Sequence, residues 1–309
     1  EQELTSALIR LGKATKKQFY FVEGHGEHGI DDTDKKGYSY IKEALEKQGF
    51  AVHKLSLLSE KVIPADAALV IMGGPENPYA PEEQGAIDAY LSRGGKLLAL
   101  LDPLSKNNMD GFFAKWGVVL EQDIIVDPSS AVGPAIPVVD RYLHHAITDK
   151  FNLATFYSLA RSVSFDPNLA DKFRFDSFLQ TGQNSWATTR IANEISIDPA
   201  KDKKGPIVIG GVFSSKEPAS KMQLVVIGDS DFAANAFALS AGNGDLFQNV
   251  VSYLAQENDL ISIRPKASLG GTLLMSKPQQ AIIFYFSILI LPIGTLLVGL
   301  FISRKRRYL

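Results

Sequence analysis

The sequence predicts an α/β fold: a flavodoxin-like, doubly wound and mainly parallel sheet, with a β-rich insertion and one C-terminal transmembrane helix. Three observations predict it. Short apolar runs alternate with amphipathic helical stretches over the first half of the chain, the rhythm of βαβ units with right-handed crossovers. Runs such as AALVIMGG (67–74) are apolar throughout, as strands covered on both faces are. The chain also closes on an uncharged run, Ala281 to Ser303, longer than the ~20 residues a helix needs to cross a bilayer core.

Taken in order, ELTSALIRLGKATK, with Leu4, Leu8 and Leu11 on one side, predicts a short N-terminal helix and linker over 1–14. QFYFV (18–22) is a buried strand. GYSYIKEALEKQG (37–49) is a helix stopped by Gly49, FAVHKLSL (50–57) a strand, and AALVIMGG another. PEEQGAIDAYLSRGG (81–95) opens on proline and acids and closes on two glycines, the asymmetry of helix starts and stops. KLLALLD (96–102) is a buried strand and MDGFFAKWG (109–117) a short helix. Over 131–204 the helical spacing fades into short strands and loops, with DPAKDKKG (198–205) as a polar tip. The parallel pattern is expected to return with GPIVIGGVF (205–213), KMQLVVIGDSDF (221–232) and the helix DLFQNVVSYLAQEN (245–258). The extracytoplasmic domain is therefore set at 15–258, a linker at 259–279, the membrane helix at 280–303 and a basic tail at 304–309. The tail opens with Arg304, Lys305, Arg306 and Arg307. Positive flanks stay in the cytoplasm, so the helix is expected to run inward, kinked at Pro292.

Composition narrows the function classes. With 32 basic and 34 acidic residues the chain carries no electrostatic footprint for nucleic acid. The absence of cysteine excludes disulfides, thiolate zinc sites and a cysteine nucleophile. Residue 1 is Glu and no signal peptide is visible, so the chain is expected to start inside a longer or processed polypeptide.

Ligands of open α/β sheets bind at the carboxyl ends of strands, and four loops qualify: EGHGEHGIDD, GGPENPY, DPLS and GDSDFAANA. In a metal reading His25, Glu27, His28, Asp31 and Asp32 would supply the ligands, but the HExxH pattern is missing. As a hydrolase, the chain would use Ser230 as nucleophile with His25 as base, yet Gly-Asp-Ser-Asp-Phe is not a G-x-S-x-G elbow. GGPENP lacks the lysine of a phosphate-binding loop. The plainest reading is that glycines make tight turns while Asp102, Asp229 and Asp231 cap helices or bind loop amides. Between these stands a non-catalytic cleft for a peptide, glycan or partner loop, lined by His25, Glu27, His28, Asp102, Asp229 and Asp231. No metal or cofactor is expected.

YFVEGHGEHG, LVIMGGPENPYAPEEQGAIDAYLSRGGKLLALLDP, HHAITDKF, LVVIGDSDFAANA and the basic end of the helix follow one another as in a known family. The chain resembles GldG-like auxiliary components of ABC-type transport systems, first linked to gliding motility, over residues 15–309. His145-Ala146 stands where that family usually has His-Pro. The resemblance implies a glutamine-amidotransferase-like domain without its cysteine, related to domains of intraflagellar transport proteins. It also implies a periplasmic body on the inner membrane of a bacterium, in membrane lipid, partnered with ABC permease and ATPase subunits. Small side chains at Ser287, Gly294, Thr295 and Gly299 would let the permease approach. The expected function is a non-catalytic accessory subunit; the alternative is a membrane-tethered hydrolase or amidase of envelope polymers using His25, Glu27 and Asp231.

Overall fold

The structure, a computed structural model, describes residues 16–190, 197–256 and 282–307. The helix expected over 1–14 and the linker over 259–279 lie outside them. The first half follows the predicted alternation: β1 (Gln18–Val22), α1 (Ser39–Lys47), β2 (Ala51–Leu55), α2 (Leu57–Glu60), β3 (Ala67–Gly73), α3 (Pro81–Ser92), β4 (Lys96–Leu100) and α4 (Met109–Ala114). Short strands then follow: β5 (Val118–Leu120), β6 (Ile124–Val126), β7 (Val138–Val139), β8 (Thr155–Phe156) and β9 (Val163–Phe165). After β10 (Phe173–Gln180), β11 (Trp186–Thr188) and β12 (Lys203–Lys204), the body closes with β13 (Val208–Ser215), β14 (Gln223–Ile227), α5 (Asn235–Ala238) and α6 (Asn243–Leu254).

A seven-stranded sheet, in the order β10-β13-β14-β4-β3-β1-β2, forms the centre. The five strands from β14 to β2 pair in parallel, while β13 runs antiparallel to both β14 and β10. The sheet is therefore mixed, and β13 corrects the expected return of a parallel pattern at 205–213. Residues 216–222 alone join β13 to β14, and so short a link can only turn the chain back, since a parallel crossover needs a dozen residues or more. Within the region expected as an insertion, 131–204, β10 is an edge strand of the central sheet. The rest of that region makes small sheets: β5 with β9, β7 with β8, and β12-β11-β6.

Alternation along the strands builds two apolar faces. Phe19, Phe21, Leu69, Ile71, Leu98, Leu100, Val225 and Ile227 face α1 (Ile41, Leu45) and α6 (Leu246, Phe247, Val250, Val251). Val70, Met72, Leu97, Ala99, Leu224 and Val226 face α3 (Ile87, Tyr90, Leu91) and Phe112 and Phe113 of α4. Gly49 and Gly94, at φ of +93° and +88°, follow α1 and α3 in the left-handed conformation that ends helices. One further helix, Ile282–Ile302 (21 residues, mean hydropathy 2.3), is long and apolar enough to cross a membrane. It meets Pro292 by widening to a π-helix over Phe286–Ile290, before α7 (Leu291–Arg307) continues as a regular helix.

Candidate functional site

The loops that leave β1, β3, β4 and β14 converge because those strands are parallel and lie within one run of the sheet. The predicted residues on them divide into two groups. Gly24 and Gly26, at φ of +129° and +90°, bend the loop after β1 so that His25 and His28 take opposite courses.

His25 and Glu27 turn toward the start of α3. His25 is buried and stacks on Tyr79 at 3.9 Å between ring centroids. Its Nε2 donates to Glu83 Oε2 at 3.0 Å, and the same oxygen accepts the amide of Ala80 at 2.8 Å. Glu83 thus caps α3 and anchors the histidine together. Glu27 accepts the amide of His25 at 2.7 Å and the hydroxyl of Tyr79. The carbonyl of His25 takes the amides of Glu76 and Asn77, tying the first loop to the second.

His28 joins the aspartates instead. It stacks on Tyr38 at 4.7 Å, and its Nε2 lies 2.7 Å from Ser230 Oγ and 3.8 Å from Asp231 Oδ1. The hydroxyl of Ser230 donates to Asp102 Oδ2, and its amide donates to Asp102 Oδ1 at 2.6 Å. Tyr38 donates its hydroxyl to the Ser230 carbonyl at 2.7 Å. Gly74, at φ +68°, passes so close that a Cβ there would stand 2.4 Å from Ser230 Oγ and 2.9 Å from His28 Nε2. Asp229 Oδ2 accepts the amide of Ser158 at 2.6 Å, while its buried Oδ1 has no partner. Burial raises the pKa of Asp102, and two bonds from Ser230 offset this only in part. Asp229 lies well above the usual carboxylate range, first through burial and then through the charges of Asp102 and Asp231.

The arrangement closes rather than opens. Asp229 and Ser230 are 0% exposed, while Asp102 is half-buried and Asp231 reaches solvent. His25 and Glu27 bond to Tyr79 and Glu83 at the start of α3, whereas His28 bonds Ser230 beside Asp102 and Asp231. Asp31 pairs with Lys42 and Lys54 at the surface, and among the described residues no His, Asp and Glu group is arranged to hold a metal. A cavity of about 530 Å³, lined by Trp116, Phe173 and Glu217 among others, lies at the opposite end of the sheet. On the apolar helix, Gly294 and Gly299 have open space where a Cβ would stand, and Thr295 donates its hydroxyl to the Pro292 carbonyl at 2.8 Å.

Several residues that build the site escape sequence reasoning. Tyr38, Tyr79 and Glu83 sit in helical or loop stretches with no chemical motif; only Glu83, two residues after Pro81, carries a legible capping signal. Arg161 is 1% exposed, grips Asp110 with two nitrogens at 2.9 and 3.0 Å, and donates to the carbonyls of Glu121 and Asp102. Asn243, also buried, bonds both amide and carbonyl of Phe156 and the carbonyl of Phe232.

A family model described as "ABC-type uncharacterized transport system" matches residues 16–258. None of the curated proteins compared with this chain matches it. Among solved structures, the mmIFT52 N-terminal domain is similar at TM-score 0.60 with 17% identity, covering 77% of this chain and 97% of that one. A ThuA-like protein from Bacteroides uniformis is similar at TM-score 0.47 with 14% identity, covering 78% and 93%. At 17% identity the likeness to the mmIFT52 N-terminal domain is one of fold.

Proposed function

Because this chain belongs to the family of auxiliary components of ABC-type transport systems, we propose that it is a membrane-anchored, non-catalytic accessory subunit of the GldG-like kind. Its doubly wound, glutamine-amidotransferase-like domain stands outside the cytoplasmic membrane of a bacterium. The apolar helix docks on a permease through Ser287, Gly294, Thr295 and Gly299, and the basic residues after it remain in the cytoplasm. ATP is hydrolysed by a partner subunit. His25 and Glu27 brace the loops against α3, and His28 with Asp102, Asp229 and Asp231 braces them against β14.

The observation that carries the non-catalytic reading is the direction of the hydrogen bonds at Ser230. A serine nucleophile needs a base that accepts its proton. Here the Ser230 hydroxyl donates to Asp102 Oδ2, so its hydrogen is directed at a carboxyl group rather than at His28, whose Nε2 lies 2.7 Å from the same oxygen. Ser230 is also sealed from solvent.

The test is purification of the full chain from membranes in mild detergent, as wild type and as Ser230→Ala. Permease and ATPase subunits are expected to co-purify with both, and transport is expected to survive the substitution wherever the complex assembles. Recovery of the wild-type chain alone would sink the accessory-subunit reading. A fully assembled but inactive Ser230→Ala complex would favour the tethered hydrolase.

A further inference from the structure

The apolar helix carries a gap in its backbone ladder that its own neighbouring residues do not fill. Within the π-helical segment Phe286–Ile290 the ladder runs five residues back, and the amide of Leu291 donates to the Phe286 carbonyl. The next residue is Pro292, which has no N–H. The carbonyl of Ser287 therefore loses both of its ladder donors. The residue four positions on, Leu291, is committed to Phe286, and the residue five positions on is the proline. The side chains one turn onward, Ile290 and Leu291, hold no donor. The nearby hydroxyl of Thr295 is spent on the Pro292 carbonyl. Ser287 lies five residues inside Ile282, where the apolar helix begins, or roughly 7 Å along the axis at 1.5 Å per residue. At that depth in hydrocarbon no water replaces the missing donor, and each backbone polar group must find a partner in protein.

We propose that the Ser287 carbonyl is a docking site for a second membrane helix, part of a transporter subunit, that presents a hydroxyl, amide or indole donor at that depth. This rests on the reading of the helix as the membrane anchor of a transport complex. The surface around the gap permits close approach: the helix is exposed along its length, and Gly294, two turns on, leaves open space where a side chain would stand. A second copy of this chain is the poorer occupant. Parallel pairing of two copies would set Arg304, Lys305, Arg306 and Arg307 of each beside their own duplicates, and like-charge juxtaposition opposes it.

The test uses the full chain in its native membrane, with a benzophenone amino acid at Ile283, four residues before Ser287 on the same helix face. Light should join it to a membrane-spanning transporter subunit. Two substitutions then supply the missing donor from within: Pro292→Leu restores the backbone N–H, and Leu291→Thr offers a hydroxyl that reaches four residues back while keeping the proline. Both should lower the crosslink at least fivefold, with the chain still resisting alkaline extraction. An unchanged yield in both, or a loss in Pro292→Leu alone, would show that shape rather than the carbonyl matters and would overturn the proposal. Crosslinking chiefly to a second copy would also overturn it. Release of the wild-type chain by alkali would remove the membrane reading itself, a result distinct from the others.

Discussion

At the residue scale, Asp229 sets the most direct expectation. Its carboxyl is fully buried, one oxygen lacks a partner, and Asp102 and Asp231 stand close by. The folded-state pKa is raised, so the folded protein binds a proton that the unfolded chain releases near the ordinary value of about 4. Stability from this group is full below that value and is lost as pH rises through the folded pKa. Asp229→Asn removes the titration. The variant should equal or trail wild type near pH 4 and gain on it by about 1–3 kcal/mol toward neutral pH, read from thermal unfolding across the pH range. Parallel melting curves at every pH would refute the assignment. The grouping of such residues was only half legible in the sequence. That GHGEHG and GDSDF sit on loops at one sheet edge follows from strand order, but which histidine meets the aspartates depends on Gly24 and Gly26 taking left-handed conformations. The composition of the loop permits those conformations without dictating them. Ser230 is likewise visible in the sequence, whereas the direction of its hydrogen bond is not, because Asp102 lies 128 residues away.

At the element scale, the runs that were easy to read are those buried on both faces. QFYFV coincides with β1, and β3 and β4 fall within AALVIMGG and KLLALLD. β5 and β6 span three residues each, too short for alternation to register. The direction of β13 was missed because an apolar strand reads the same both ways; the short link to β14 was the available clue. These minor strands add single residues such as Val118, Ile125 and Val163 to the apolar clusters, and polar side chains pin them further. Arg161, beside β9, reaches across to α4 through Asp110 and to the residue after β5 through the Glu121 carbonyl. Asp110→Ala would leave a buried guanidinium with only carbonyl partners. A loss of about 2–4 kcal/mol follows, measurable by denaturant titration of the purified chain. A loss under about 0.5 kcal/mol would show that the carbonyls suffice.

At the scale of the whole molecule, the body is joined by pairings between distant parts of the chain. The edge order puts β14 between β13 and β4, and Lys96 pairs in register with Gln223. Synthesis meets this as a delay. Once β1 to β4 have emerged, the free side of KLLAL must wait for more than a hundred further residues before its partner exists. An apolar edge left open for that long invites pairing with other chains, and long-range closure is slow in itself. Nascent chains arrested at increasing lengths should therefore stay protease-sensitive until α6 has been released, then become resistant in one step. A resistant fragment spanning residues 16–120 at shorter lengths would mean that the parallel half folds alone. The ordering gives the apolar helix, which follows α6 in the chain, a place in time: it is made only after the last strand of the sheet, so a ribosome that has begun the helix has already finished the part that must not aggregate.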